Sequence, residues 1–322
     1  MAKNRKGLGC LAKTLIALLV ILVILVAAVV TVLHLTPAQL HLADVSIAGT
    51  TLADMGLADT KLIDVIKAYL SLKKPDTEAI VTNPPSEEDK AAAADKVTSG
   101  ATLPKDEDGS TDFSAIVTNP VVYDKQYLIT YTDKELAGLF GHIIEDAEAK
   151  ANTPESIQFL ADFNATVASI TISDKAPDGS AKLRIVASVN LNAALAEFGD
   201  EIPDVIKGLI PEVVYFTVYG NISADAEGHV VYTQDKCLIN DQQDAVSDAI
   251  FHLIAAKASL NAEDPATAIG EKVGQGFELL VYNLGRVGTA SLDSNSVVIP
   301  STKTLGSVGI QNGTLSLITV TE

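Results

Sequence analysis

Tryptophan is absent from the 322 residues, methionine and cysteine occur twice each, and aromatic residues make up only 5% of the chain. Two cysteines cannot build a disulfide scaffold or a four-thiolate metal site. Basic residues are scarce: 23 Lys and Arg face 41 Asp and Glu, a formal net charge of −18. A surface this acidic repels phosphate, and no basic block offers counterion release, which argues against nucleic acid as a partner. Hydrophobic residues, by contrast, reach 48%. That is enough for a folded core and too much for a disordered chain.

Charge, glycine and proline are all missing from Leu15 to Leu33, a run of 19 residues of which 15 are Leu, Ile or Val. As a helix it spans about 28 Å, close to the roughly 30 Å of a bilayer's hydrocarbon. The run is apolar all round, whereas a buried core helix normally keeps a polar side. Lys3, Arg5, Lys6 and Lys13 precede it, with no acidic residue before the span. Positive flanks stay cytoplasmic, so the remainder is expected outside. A cleaved signal peptide would have a shorter apolar region and a small-residue cleavage site, which Val32 to Pro37 does not offer.

The sequence therefore divides into a basic cytoplasmic tail (1–14), a transmembrane helix (15–35), a membrane-proximal segment (36–83), an acidic flexible linker or loop (84–112) and an extracytoplasmic domain (113–322). This topology places Cys10 and Cys237 on opposite sides of the membrane and forbids a bond between them. Cys237 falls in a predicted strand and reads as a small buried hydrophobe.

In the membrane-proximal segment, Asp59 or Thr60 is placed to cap a helix through Leu72, with Ile63, Ile66 and Leu70 at helical spacing. The segment from Pro84 to Asp112 has few large apolar residues, which reads as chain unable to offset its own ordering entropy. One hexapeptide flanks it on both sides: Ala79-Ile80-Val81-Thr82-Asn83-Pro84 recurs at Ala115 to Pro120. Ile and Val before Asn-Pro predict a strand running into a turn.

Regular alternation begins at Phe113. Tyr127 to Thr130 reads as a strand, and Thr132-Asp133-Lys134-Glu135 as a capping box opening a helix whose face carries Leu136, Leu139, Phe140, Ile143 and Ile144. A second helix starts at Thr153-Pro154. Thr166 to Ser173 with Lys182 to Asn190, and Glu212 to Ser223 with His229 to Ile239, read as two hairpins, the first with one wetter face. Their strands reach about 11 or 12 residues, against a commoner 5–6. Leu191 to Phe198 reads as helical. Helices are also predicted from Asp241, and from Asp264-Pro265 through Leu284; a terminal hairpin turns at Asn312-Gly313. Gly270 and Gly274 cost up to about 1 kcal/mol each in that last helix, which implies the close approach of another backbone or of a ligand, with backbone packing the preferred reading.

Signatures of chemistry are missing. His34, His41, His142, His229 and His252 form no HExxH, and no Gly-x-Ser-x-Gly elbow or phosphate-binding loop occurs. The pairs Glu145–Asp146 and Glu87–Glu88 read as solvated charge, and Asp106-Glu107-Asp108 lacks the spacing of a calcium loop. The sequons at Asn164, Asn221 and Asn312 are about what chance supplies.

The stretch Ile129-Thr130-Tyr131-Thr132-Asp133-Lys134-Glu135-Leu136-Ala137-Gly138-Leu139, after one N-terminal span and before long hairpins and a terminal helix, resembles the start of the YpmS-like single-pass envelope proteins of Gram-positive bacteria. It is also similar to the strand–helix opening of tubular lipid-binding modules. The likeness covers roughly Tyr123 to Ala258. The acidic insertion and the long C-terminal part depart from a short YpmS-like protein. The resemblance implies an extracytoplasmic α+β module whose curved sheet shelters apolar surface, with no known reaction and no residue-level site.

The expected fold is thus α+β: a transmembrane helix, then long twisted antiparallel strands packed with amphipathic helices. The expected role is a membrane-anchored binding module of the bacterial cell envelope, for a lipid or another amphiphile. The alternative is a structural or protein-interaction component of an envelope assembly. No enzymatic activity, cofactor, metal or catalytic residue is assigned, and no ligand-binding residue is named.

Overall fold

Segments rich in Val, Ile, Thr and Tyr build the longest strands of the computed structural model. It describes residues 29–47, 50–147, 150, 152–173, 176, 179–191, 211–260, 262–287, 291–293, 296–298 and 309–321. Strands β5 (Thr166–Ile172), β6 (Ala181–Asn190), β7 (Val213–Ala224) and β8 (Val230–Ile239) form a four-stranded antiparallel sheet in sequence order. One face presents Leu183, Ile185 and Val189 of β6, Val214, Phe216 and Val218 of β7, and Cys237 and Ile239 of β8, all buried. Each fully buried large side chain there contributes roughly 1.5–3 kcal/mol.

Helices cover that face. Helix α6 (Asp133–Ala147) packs on β5, and α9 (Pro265–Leu284) on β8, with α7 (Glu155–Asp162) and α8 (Ala245–Lys257) beside α9. The predicted capping box of α6 is formed: Glu135 N–H donates to Thr132 Oγ1 at 3.2 Å, and Thr132 N–H to Glu135 Oε2 at 2.7 Å. Asp264 caps α9 and Pro265 opens it, as its sequence predicts. Helix α8 starts later than expected, with Asp244 rather than Asp241 as its cap, because the Asp244 carboxylate accepts from both Val246 and Ser247 N–H.

The other face of the sheet carries Thr171, Arg184, Tyr219 and Lys236 in one cross-strand row. Tyr219 Oη donates to Asp241 Oδ1 at 2.6 Å and accepts from Arg184 Nε at 3.2 Å. This is the wetter face, but only in part: the adjacent row buries Ser169, Val186 and Thr217 completely.

A second sheet closes the domain. Strand β4 (Leu128–Thr132) pairs antiparallel with β13 (Thr314–Ile318), which also pairs with β12 (Ile310–Gln311) and β9 (Arg286–Val287). The turn between β12 and β13 is the Asn312-Gly313 hairpin, with Ile310 opposite Leu315 and Gly313 at φ 70°. Strand β14 (Val320–Thr321) runs parallel to β3 (Val122–Tyr123). Two small hairpins complete the strands: β1 (Ser46–Ile47) with β2 (Thr50–Thr51), and β10 (Ser291–Asp293) with β11 (Ser296–Val298).

The acidic segment is not an unstructured linker. It contains helix α4 (Glu87–Thr98), opened by a Ser86–Asp89 capping box and packed on α6 with Ala93 and Val97 fully buried. Alanine, the best helix former, and two well-placed apolar contacts suffice where large side chains are few. Neither hexapeptide copy is a strand. The first ends α3 (Thr77–Ile80) and the second begins α5 (Ala115–Thr118); both bury their isoleucine, Ile80 and Ile116. The segment 36–83, expected to be membrane-proximal, joins the same core through α2 (Leu62–Lys73), whose Leu72 is buried against the domain. Its N-cap is Lys61, without a side-chain bond, rather than Asp59 or Thr60.

Of the predicted membrane span, residues 15–28 lie outside the described residues, and 29–33 are helical (α1). Among the described residues no helix is long and apolar enough to cross a membrane. The predicted helix Leu191–Phe198 lies outside them beyond Leu191.

Candidate functional site

Gly270 and Gly274 occupy one face of α9, and strand β8 fills the space their missing side chains leave. A Cβ at Gly270 would lie 2.6 Å from Gln234 Nε2 and 2.8 Å from Cys237 Cβ; one at Gly274 would clash with the Tyr232 ring at its Cε1. The close approach is therefore made by side chains of the sheet rather than by the backbone that the sequence reading preferred. At these two positions the helix and the sheet are in direct contact.

Concave surface is found instead at the helix ends. A cleft of about 360 Å³ is lined by Thr153, Glu155, Gln158, Phe159, Asp162 and Phe163 from α7 and its flanks, Ala258 and Leu260 after α8, and Lys272 of α9. Its volume is at the lower end of the ~300–1,000 Å³ of small-molecule sites. Phe159 and Phe163, one helical turn apart, pack with their rings tilted by 48° and centroids 5.0 Å apart, and line the cleft together with Ala258 and Leu260. At the rim, Lys272 Nζ meets Glu155 Oε1 at 2.6 Å and Gln158 Nε2 meets Asp162 Oδ1 at 2.5 Å. An apolar lining with a rim of paired polar and charged groups suits a molecule with a greasy body and a polar head.

A second cleft of about 360 Å³, between β8 and α9, is polar. Its lining includes Tyr232, Gln234, Asp235, Glu271, Gln275 and Glu278. Burial pushes the Glu278 carboxyl up, against the Tyr232 N–H bond that holds it down.

No family model matches the chain, and comparison with curated proteins and with solved structures returns no match.

Carboxylates of Asp106, Asp112 and Asp146 converge, with ligand atoms within 4.8 Å of one another. The cation between them is Lys150, whose Nζ lies 2.9 Å from Asp106 Oδ1 and 2.5 Å from Asp112 Oδ1. Asp108 closes its own turn by accepting from Ser110 N–H and Oγ. Asp146 is not the solvated charge its sequence suggests: it is half-buried, accepts the Phe113 N–H at 2.8 Å, and is pushed up by burial.

The histidines are dispersed. His142 stacks on Phe113 at 5.6 Å, and His229 on Tyr282 at 4.5 Å beside Asp225. Cys237 is buried in β8 and its thiol is pushed up by burial, the character of a hydrophobe rather than a nucleophile. Cys10 lies outside the described residues. Sequence reasoning missed the cleft; its one local signal is the Phe159–Phe163 pair in a chain with 8 Phe.

Proposed function

We propose that this chain is a single-pass membrane protein whose folded domain lies outside the cytoplasm and binds a lipid or another amphiphile in the cleft between α7 and α9. The observation that carries the anchor is the exposure of the end of the apolar run. Val29, Val30 and Val32 are 58%, 46% and 46% exposed, so the domain does not use them as core. An apolar run of this length, whose described end the domain leaves exposed, is best accommodated by another apolar medium. The apolar lining that Phe159, Phe163, Ala258 and Leu260 give the cleft supports the second half of the reading.

Alkaline extraction of membranes from cells expressing the full chain tests the anchor: the chain is expected in the membrane pellet, and release into the supernatant contradicts the anchor. Native mass spectrometry of the full chain, freed from detergent, tests the ligand. A lipid adduct retained by the wild type should be lost in Ala258→Phe, which fills the cleft. Equal adducts on both proteins contradict a ligand in the cleft.

A further inference from the structure

Helix α2 follows the apolar run by fewer than 30 residues of chain and is tied back to it. Leu62 N–H donates to Leu35 O at 3.0 Å, and Ala38 N–H to Ala58 O at 2.9 Å. The start of α2 therefore sits beside the point where the apolar run ends. The inner side of the helix is used by the domain: Leu72 is buried, its carbonyl accepts from Asn240 Nδ2, and Ser71 Oγ accepts from Gln242 Nε2.

The outer side is not. Ile66 and Leu70, one turn apart, are 42% and 59% exposed. Leu42 and Val45, between the run and α2, are exposed as well. Around Ile66 and Leu70 the charge reverses: from Lys61 to Lys74 there are four Lys and one Asp, in a chain with a net charge of −18. Lys61, Lys67, Lys73 and Lys74 are all exposed. An exposed apolar pair flanked by lysines is the pattern of a helix lying in a membrane interface, with the apolar side chains at the acyl boundary and the ammonium groups at the headgroups.

We infer that α2 lies on the outer surface of the anchoring membrane, with Ile66 and Leu70 inserted and the lysines facing anionic lipid headgroups. The inference rests on the membrane-anchored reading above and adds to it a second, reversible contact that fixes how the domain stands on the bilayer.

The test uses the full chain with Cys10→Ser, reconstituted into vesicles, with a polarity-sensitive fluorophore placed in turn at Val23→Cys, Ile66→Cys, Leu70→Cys and Glu227→Cys. Lipid-borne quenchers should quench the label at 23 in mid-bilayer and those at 66 and 70 near the headgroups, and leave the label at 227 untouched. Quenching at 23 with none at 66 and 70 overturns the inference and leaves the anchor standing. No quenching at 23 overturns the anchor itself. The blue shift at 70 should be larger in vesicles of phosphatidylcholine with phosphatidylglycerol than in phosphatidylcholine alone, and that difference should be lost in Lys67→Glu/Lys73→Glu/Lys74→Glu. Equal shifts in both lipids overturn the headgroup contact.

Discussion

Lys96 Nζ lies 2.6 and 2.7 Å from the two carboxylate oxygens of Glu135, so the residue that caps α6 is itself held by a lysine of α4. The same ammonium donates to Thr130 O at 2.8 Å. Glu135 is nearly buried, at 9% side-chain exposure, while Lys96 keeps 34%. One ion pair thus locks the acidic segment, β4 and the start of α6 together.

Lys96→Ala should leave the Glu135 carboxylate buried without its cation. The expected loss is about 1–3 kcal/mol in denaturant unfolding of the full chain, with cleavage near α4 becoming faster in limited proteolysis. A change within about 0.5 kcal/mol would mean that the pair is only a surface contact.

Gly274→Ala should force the Tyr232 ring off α9. Overpacking of this kind costs typically about 1–3 kcal/mol. In a Tyr232→Ala background the same substitution should cost much less, and a double-mutant cycle in unfolding measures the coupling. Additive effects would show that the ring does not fill the notch at Gly274.

Asp264 is held below the usual carboxylate range, first by the Thr267 hydroxyl and then by the Thr267 N–H. A depressed folded-state value contributes stability above the unfolded value, and that stability is lost as the pH falls through the folded one. Asp264→Ala should therefore cost about 0.5–2 kcal/mol near neutral pH. The cost should shrink in acid; a pH-independent cost would contradict a charged cap.

Asp146 has the opposite sign. Burial raises its carboxyl, with the Phe113 N–H opposing. Its ionised form costs stability at neutral pH, a cost that fades as the pH falls through the raised value. Asp146→Asn should raise the melting temperature at neutral pH, with a gain that narrows in acid. A loss at neutral pH would show that the Lys150 ion pairs need this third carboxylate.

Much of the fold was legible because its signals are local. The long strands, the Thr132–Glu135 capping box, Asp264-Pro265 before α9 and the Asn312-Gly313 turn each depend on a few adjacent residues. The pairing of β13 with β4 joins residues far apart in sequence, and nothing local encodes it. Helix α4 was hidden for a different reason. Its apolar content suggests disorder, yet Ser86, Asp89 and the run of alanines were enough once Val97 found α6. The hexapeptide shows tertiary context overriding propensity: burial of Ile80 and Ile116 selects helical turns over the strand that Ile-Val favours. The cleft draws its lining from residues near 159, 260 and 272, brought together only by packing.

The most direct test of the membrane-anchored reading labels intact cells that express the full chain with a membrane-impermeant maleimide. Cys237 is buried and silent in the folded domain. The other thiol is Cys10, and Glu227→Cys adds one at an exposed turn. Labelling at 227 in intact cells, with Cys10 reached only after the membrane is opened, is the expected result. Labelling of Cys10 from outside, or protection of 227 until lysis, would contradict it.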